Sequence, residues 1–178
     1  ALAFGAALCI SPSGTPTAAH LRNANVSVLG VAPSTLLSLT PEEVPQVRCI
    51  FTWGEPLPTA VAAHWRRVGV RVVELLISTE YWLSFYCDGP SPAGHGAAVF
   101  KVARGVDWAV LPQTKDGPQL PPALAAGHVG ELCIRGPAVT SGYRNGACGS
   151  EFTTSANGVQ YFRAKDLVRA VEGQKTCL

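Results

Sequence analysis

Thr79-Glu80 closes an apolar, β-branched run and sets a hydroxyl beside a carboxylate at a strand end. Such a carboxylate can hold a hard cation such as Mg²⁺ through oxygen, and the hydroxyl can bond a phosphate oxygen. The same pair also reads as a helix N-cap with an acidic first turn. Gly54-Glu55-Pro56 follows a second apolar run. Gly54 lacks a Cβ, so its backbone can approach a flat ligand, or it makes a tight turn into a helix with proline at its head. Asp166 follows Tyr161-Phe162-Arg163 and precedes Leu167-Val168-Arg169. A carboxylate at that strand junction can accept two hydrogen bonds from a sugar diol, or form a weak surface ion pair with Arg163, Lys165 or Arg169.

Other chemistry is harder to support. Ser11 to Thr17 contains Ser13-Gly14-Thr15, but it lacks the downstream lysine of a phosphate loop, and Pro16 removes a backbone donor. His20, His64, His95 and His128 have no Ser, Cys or Asp partner recognisable by spacing, so no triad is expected. The six cysteines are scattered without a C-x-x-C pair, which argues against zinc and for a reduced, intracellular protein.

The net charge of +2 forms no basic stripe, so nucleic acid is not an expected partner. With 178 residues, 47% of them hydrophobic and 15% charged, the chain can bury a core. The chain has no methionine, and its apolar opening from Ala1 to Ile10 is too short to span a membrane. That run also lacks the basic start of a secretory signal. A fragment beginning at a cut-off buried strand or helix end is expected.

The elements that must position these residues fall into two groups. Val26–Val31, Val47–Thr52 and Val70–Ile77 read as buried strands. A short helix begins at Pro33-Ser34 and runs over Thr35–Leu39, and Thr40-Pro41-Glu42-Glu43 reads as the cap and first turn of another. Thr59–Val68 is amphipathic, with Val61, Trp65 and Val68 on one face. This alternation predicts an α/β fold with a parallel or mixed sheet over 1–90, where ligands gather at the carboxyl ends of strands. Residues 88–96 read as a linker. Beyond it, Ala98–Val102, Asp107–Leu111, Val129–Arg135 and Val159–Phe162 predict a β-rich, distorted-barrel-like subdomain over 97–178.

Singly weak, these motifs are specific in their order. Gly54-Glu55-Pro56-Leu57, Ser78-Thr79-Glu80, Gly130-Glu131-Leu132 with Gly136 and Gly142-Tyr143, and Phe162-Arg163 ahead of Asp166 resemble the adenylate-forming superfamily. That superfamily includes acyl-CoA synthetases, the adenylation domains of nonribosomal peptide synthetases, and luciferases. Ala32-Pro33-Ser34 also looks like its Pro-Ser at the head of a pocket helix. The resemblance implies the later part of a large N-terminal adenylation core. It also implies a ligase chemistry, in which a small carboxylic acid and ATP give an acyl-adenylate and pyrophosphate. A thiol, of CoA or of a phosphopantetheine carrier domain, then takes the acyl group. On the matched positions Gly54, Glu55 and Pro56 would flank adenine, Thr79 would contact phosphate, Glu80 would hold Mg²⁺, and Asp166 would bind the ribose hydroxyls.

The chain departs from the family pattern at three places. Leu76-Ile77 stands where the family has Tyr-Gly, so Leu76 replaces the aromatic face stacked on adenine, a contact worth about 1–3 kcal/mol. Trp53 replaces the first Gly of Gly-Gly-Glu, and Ala164-Lys165 replaces Thr-Gly ahead of the last Asp. A glycine-rich phosphate loop and a lid lysine are expected outside the chain, so turnover by these 178 residues alone is not expected. The departures also admit a degenerate, non-catalytic relative serving a binding or structural role.

Overall fold

The computed structural model describes residues 5–11, 14–90, 98–112, 127, 129–144, 149–171 and 176–177. These separate into two compact units, residues 1–75 and 76–178. The expected linker at 88–96 lies outside the described residues from position 91, and Asp88 to Pro90 belong to the second unit.

The first unit is α/β. Strands β1 (Val28–Val31), β2 (Cys49–Thr52) and β3 (Arg71–Leu76) pair in parallel, in that order. Parallel neighbours need a crossover, and helices α2 (Pro33–Leu36) and α3 (Thr59–Arg67) occupy the two connections. A further short helix, α1 (Ala18–Asn23), was not legible in sequence, because only Leu21 of its six residues is buried. Leu29, Val31, Ile50 and Val72 from the strands pack with Leu36, Val44, Val47 and Trp65 in one core.

Two expectations for this unit need correction. Thr40 to Glu43 does form a cap, with the Glu43 carboxylate accepting the Thr40 N–H at 2.9 Å and its hydroxyl at 3.1 Å. No helix follows, because Pro45 removes a donor and turns Val44 away from the helical region. Val68 is not on the buried face of α3. It is 52% exposed at the C-cap, where the chain has left helical phase, and Ala62 is buried beside Trp65 instead.

The second unit is β-rich and antiparallel. Strand β4 (Phe85–Cys87) pairs with β5 (Phe100–Val102), which pairs with β10 (Thr176–Cys177). A curled sheet runs β6 (Asp107–Pro112), β7 (Val129–Arg135), β9 (Gln160–Arg169), β8 (Phe152–Thr154). Val110, Leu132, Ile134, Phe162 and Val168 from this sheet form a core with Tyr81 and Phe85. Gly130 is required there, since a Cβ would overlap the Leu111 carbonyl and lie 2.9 Å from a Val110 methyl.

Strand β9 differs most from expectation. The sequence suggested a strand that stops at Phe162, but it continues to Arg169. Glu131 pairs with Leu167 and Cys133 with Arg163, so Ala164, Lys165 and Asp166 together oppose the single residue Leu132. This is a β-bulge, and Lys165 takes φ = +64° within it. Alternation is lost across these residues, which is why the strand seemed to end.

Candidate functional site

In the first unit the loop after β2 is tied down at each residue that could matter. Gly54 has φ = +86°, a left-handed backbone natural only to glycine. Trp53 packs against Gly30, where an added Cβ would lie 3.2 Å from the indole. Glu55 spends both carboxylate oxygens on Ser34 in the first turn of α2. It accepts the Ser34 N–H at 3.2 Å and the Ser34 hydroxyl at 3.0 Å, an arrangement a helix start favours. Pro56 is exposed, and the next N–H, of Leu57, donates to Glu74 at 3.1 Å. Glu74 is buried on β3, and burial raises its carboxyl above the ordinary value despite the Leu57 N–H and the nearby Arg66 charge. The turn into α3 headed by proline is therefore present, with Pro58 as N-cap. The Glu55 side chain is a capping group, and what the loop offers a ligand is backbone.

In the second unit Leu76 is half-buried against the core of Tyr81 and Phe85. No helix follows Thr79-Glu80; Tyr81 bridges Val139 instead, so the N-cap reading of this pair is set aside. Thr79 is exposed. Glu80 accepts the Ser78 hydroxyl on Oε2 at 2.8 Å and the Tyr143 hydroxyl on Oε1 at 3.2 Å. The Ser78 hydroxyl chiefly holds the Glu80 carboxyl below its ordinary value, so it is anionic at neutral pH. Its backbone carbonyl accepts the Thr140 N–H at 2.7 Å, which fixes Glu80 to the segment leading to Gly142-Tyr143.

Asp166 takes none of the ion pairs offered as its alternative. Arg163 grips Glu131, with Nε at 3.1 Å from both oxygens, and Lys165 lies 3.8 Å from Glu151. Asp166 accepts instead the hydroxyl of Tyr81 at 3.0 Å, a residue 85 positions away in sequence. Lys165, standing where the family pattern has glycine, keeps the left-handed backbone that glycine would adopt.

The structure thus brings Glu80 together with Ser78 and Tyr143, and Asp166 together with Tyr81. The two tyrosines were missed as carboxylate partners. Tyr143 carried a signal, being part of the Gly142-Tyr143 pair; Tyr81 carried none. His20 does have a sulfur neighbour, Cys9 Sγ at 3.5 Å, which the spacing did not reveal. His95 and His128 lie outside the described residues. Among the described residues no helix is long and apolar enough to cross a membrane.

Oxygen donors of this kind suit Mg²⁺. No cluster of three or more metal-ligating side chains occurs among the described residues. Mg²⁺ needs none, since it commonly uses one or two carboxylates and completes its shell with phosphate and water. An anionic Glu80 with hydroxyls beside it fits that requirement.

Sequence comparison with known proteins identifies one family, and solved structures share its fold. The pattern of the family described as AMP-binding enzyme matches residues 1–144. A nonribosomal peptide synthetase of Arthrobotrys oligospora, Ao415, is 31% identical over 153 residues, covering 85% of this chain and 4% of that protein. The chain therefore spans a small part of that relative's length. The Vibrio cholerae adenylation domain AlmE, solved in complex with glycyl-adenosine-5′-phosphate, superposes with a TM-score of 0.75 at 20% identity. That match covers 95% of this chain and 34% of AlmE. A long-chain-fatty-acid-CoA ligase of Archaeoglobus fulgidus gives a TM-score of 0.69 at 16% identity, covering 89% of this chain and 35% of that one. At such identities these two structures show the shared fold alone.

Proposed function

The chain belongs to the AMP-binding enzyme family, and we propose that the full-length protein activates a small carboxylic acid with ATP. The acid's carboxylate oxygen attacks the α-phosphorus, the bond to pyrophosphate breaks, and acyl-adenylate forms. A thiol sulfur, of CoA or of a phosphopantetheine carrier domain, then attacks the acyl carbon, and AMP leaves. Such chemistry asks a protein for positioning and charge neutralisation more than for covalent help. The observation that carries the reading is the anionic Glu80, held by the Ser78 and Tyr143 hydroxyls within the family's motif order.

In this reading Glu80 holds Mg²⁺, which supplies positive charge to the phosphate oxygens when bound. Thr79 donates its hydroxyl to a phosphate, and Asp166 accepts from the ribose hydroxyls. Backbone at Gly54, Glu55 and Pro56 flanks adenine, and Leu76 offers it an apolar contact. The free thiols of Cys49, Cys87 and Cys133 suit a reducing compartment such as the cytoplasm. The test is acid-dependent exchange of pyrophosphate into ATP by the full-length protein. Exchange is expected, with loss in Glu80→Ala and in Asp166→Ala; full retention in both variants removes the site assignment.

One observation favours a second reading, a degenerate, non-catalytic relative in a structural or binding role that has lost the nucleotide: Leu76 is half-buried against the core where the family has its adenine-stacking aromatic. ATP·Mg²⁺ separates the two. Thermal stabilisation of the protein at millimolar nucleotide supports the catalytic reading, and a flat response supports the second.

A further inference from the structure

We propose that Tyr81 is the positioning residue for Asp166, fixing how that carboxylate meets a vicinal diol; the inference rests on the nucleotide-binding reading above. Asp166 lies in the bulge of β9, where three residues oppose one, so ladder pairing does not orient its side chain. The preceding residue, Lys165, sits at φ = +64°, a backbone that resists every residue but glycine. Something outside the strand has to hold Asp166 in place, and Tyr81 does so.

Tyr81 is 4% exposed, its ring is 6.0 Å from that of Phe162, and its backbone bridges Val139. Its hydroxyl donates to Asp166 Oδ2 at 3.0 Å. A phenol is protonated at neutral pH, so it is the donor in this pair. One carboxylate oxygen is thereby pinned. The other, Oδ1, has no hydrogen-bond partner among the described residues and presents lone pairs in a fixed direction. An anionic acceptor of this kind suits paired hydroxyl donors, as on ribose. The Lys165 ammonium lies toward Glu151 and does not compete.

The experiment compares ATP with 2′,3′-dideoxy-ATP, each with Mg²⁺, by calorimetric titration of the full-length protein and its Tyr81→Phe variant. Phenylalanine keeps the ring in the core and removes only the donor. The wild type should prefer ATP by about tenfold, as expected for hydrogen bonds to a charged group. Tyr81→Phe should lose that preference while its affinity for the dideoxy nucleotide stays level. Equal weakening for both nucleotides would mark Tyr81 as structural and overturn the proposal, as would an undiminished preference in the variant. A wild type that binds neither nucleotide, or both equally, overturns the nucleotide-diol reading itself and the proposal with it. Should Tyr81→Phe not fold, Tyr81→Phe with Lys165→Gly relieves the bulge and carries the same comparison.

Discussion

Glu55 and Glu74 of the first unit differ from Glu80 and Asp166 of the second in having another residue's backbone amide among the donors that hold them. In the first unit Glu55 and Glu74 each take a backbone N–H, from Ser34 and Leu57, across 21 and 17 residues of chain. In the second unit Glu80 and Asp166 take side-chain hydroxyls, from Ser78, Tyr143 and Tyr81. A backbone amide cannot turn away without dismantling the turn or helix start that supplies it. The Ser78 and Tyr143 hydroxyls can rotate, so Glu80 can accept a cation without loss of local fold, and Asp166 keeps Oδ1 open beside its Tyr81 bond. Glu55 and Glu74 hold the loop after β2 in place, and the proposed function assigns the ligands to Glu80 and Asp166.

The largest break in this comparison should come from Gly130→Ala, which forces a Cβ onto the Leu111 carbonyl inside the sheet that carries Asp166. A loss of about 3 kcal/mol in urea unfolding is expected, at the upper end for overpacked cores. A neutral result would mean that the sheet is far more compliant than its pairing implies.

Glu74→Ala comes next. It leaves the Leu57 N–H without its carboxylate, at about 2 kcal/mol, and Glu74→Gln should recover most of this. If Ala and Gln cost the same, Glu74 does not anchor the loop.

Lys165→Gly should stabilise the protein by about 1 kcal/mol, because glycine accepts φ = +64° without the left-handed penalty. A lower melting temperature in this variant would contradict the strained bulge.

The pH dependence sharpens the contrast further. The Glu80 carboxyl is held below its ordinary 4.5, so its contribution to stability is present above pH 4.5 and fades as pH falls through the depressed value. The Glu74 carboxyl is raised by burial, so its contribution has the opposite sign, present below 4.5 and fading as pH climbs through the raised value. Glu80→Gln should therefore flatten the acid limb of a stability profile, and Glu74→Gln should flatten the fall above 4.5. Matching profiles in the two variants would erase the distinction. The smallest effect belongs to Ser34→Ala, about 0.5 kcal/mol for an exposed partner of Glu55.

What the sequence disclosed follows the same division. Flanking turn residues, Gly127 before and Gly136-Pro137 after, placed β7 at Val129–Arg135, and amphipathic spacing began α3 at Thr59. Gly54 was legible as a turn residue, and it has positive φ. The motif order located the carboxylates. It could not reveal what holds them, since the contact of Tyr81 with Asp166 spans 85 residues and breaks no local pattern. The bulge at Ala164-Lys165-Asp166 erased the strand's alternation and hid the second half of β9. Val68 was misplaced because helical phase was extended one residue past Arg67, onto the cap.

Pyrophosphate exchange in paired variants of the full-length protein separates the two kinds of carboxylate. Glu80→Gln and Glu55→Gln remove the same charge, one from a carboxylate held by side-chain hydroxyls and one from a carboxylate that also caps the Ser34 N–H. The account predicts a fall of about a hundredfold in exchange for Glu80→Gln, the scale of losing a transition-state charge partner, and near-normal exchange for Glu55→Gln. Full exchange in Glu80→Gln, or equal losses in both, would contradict it.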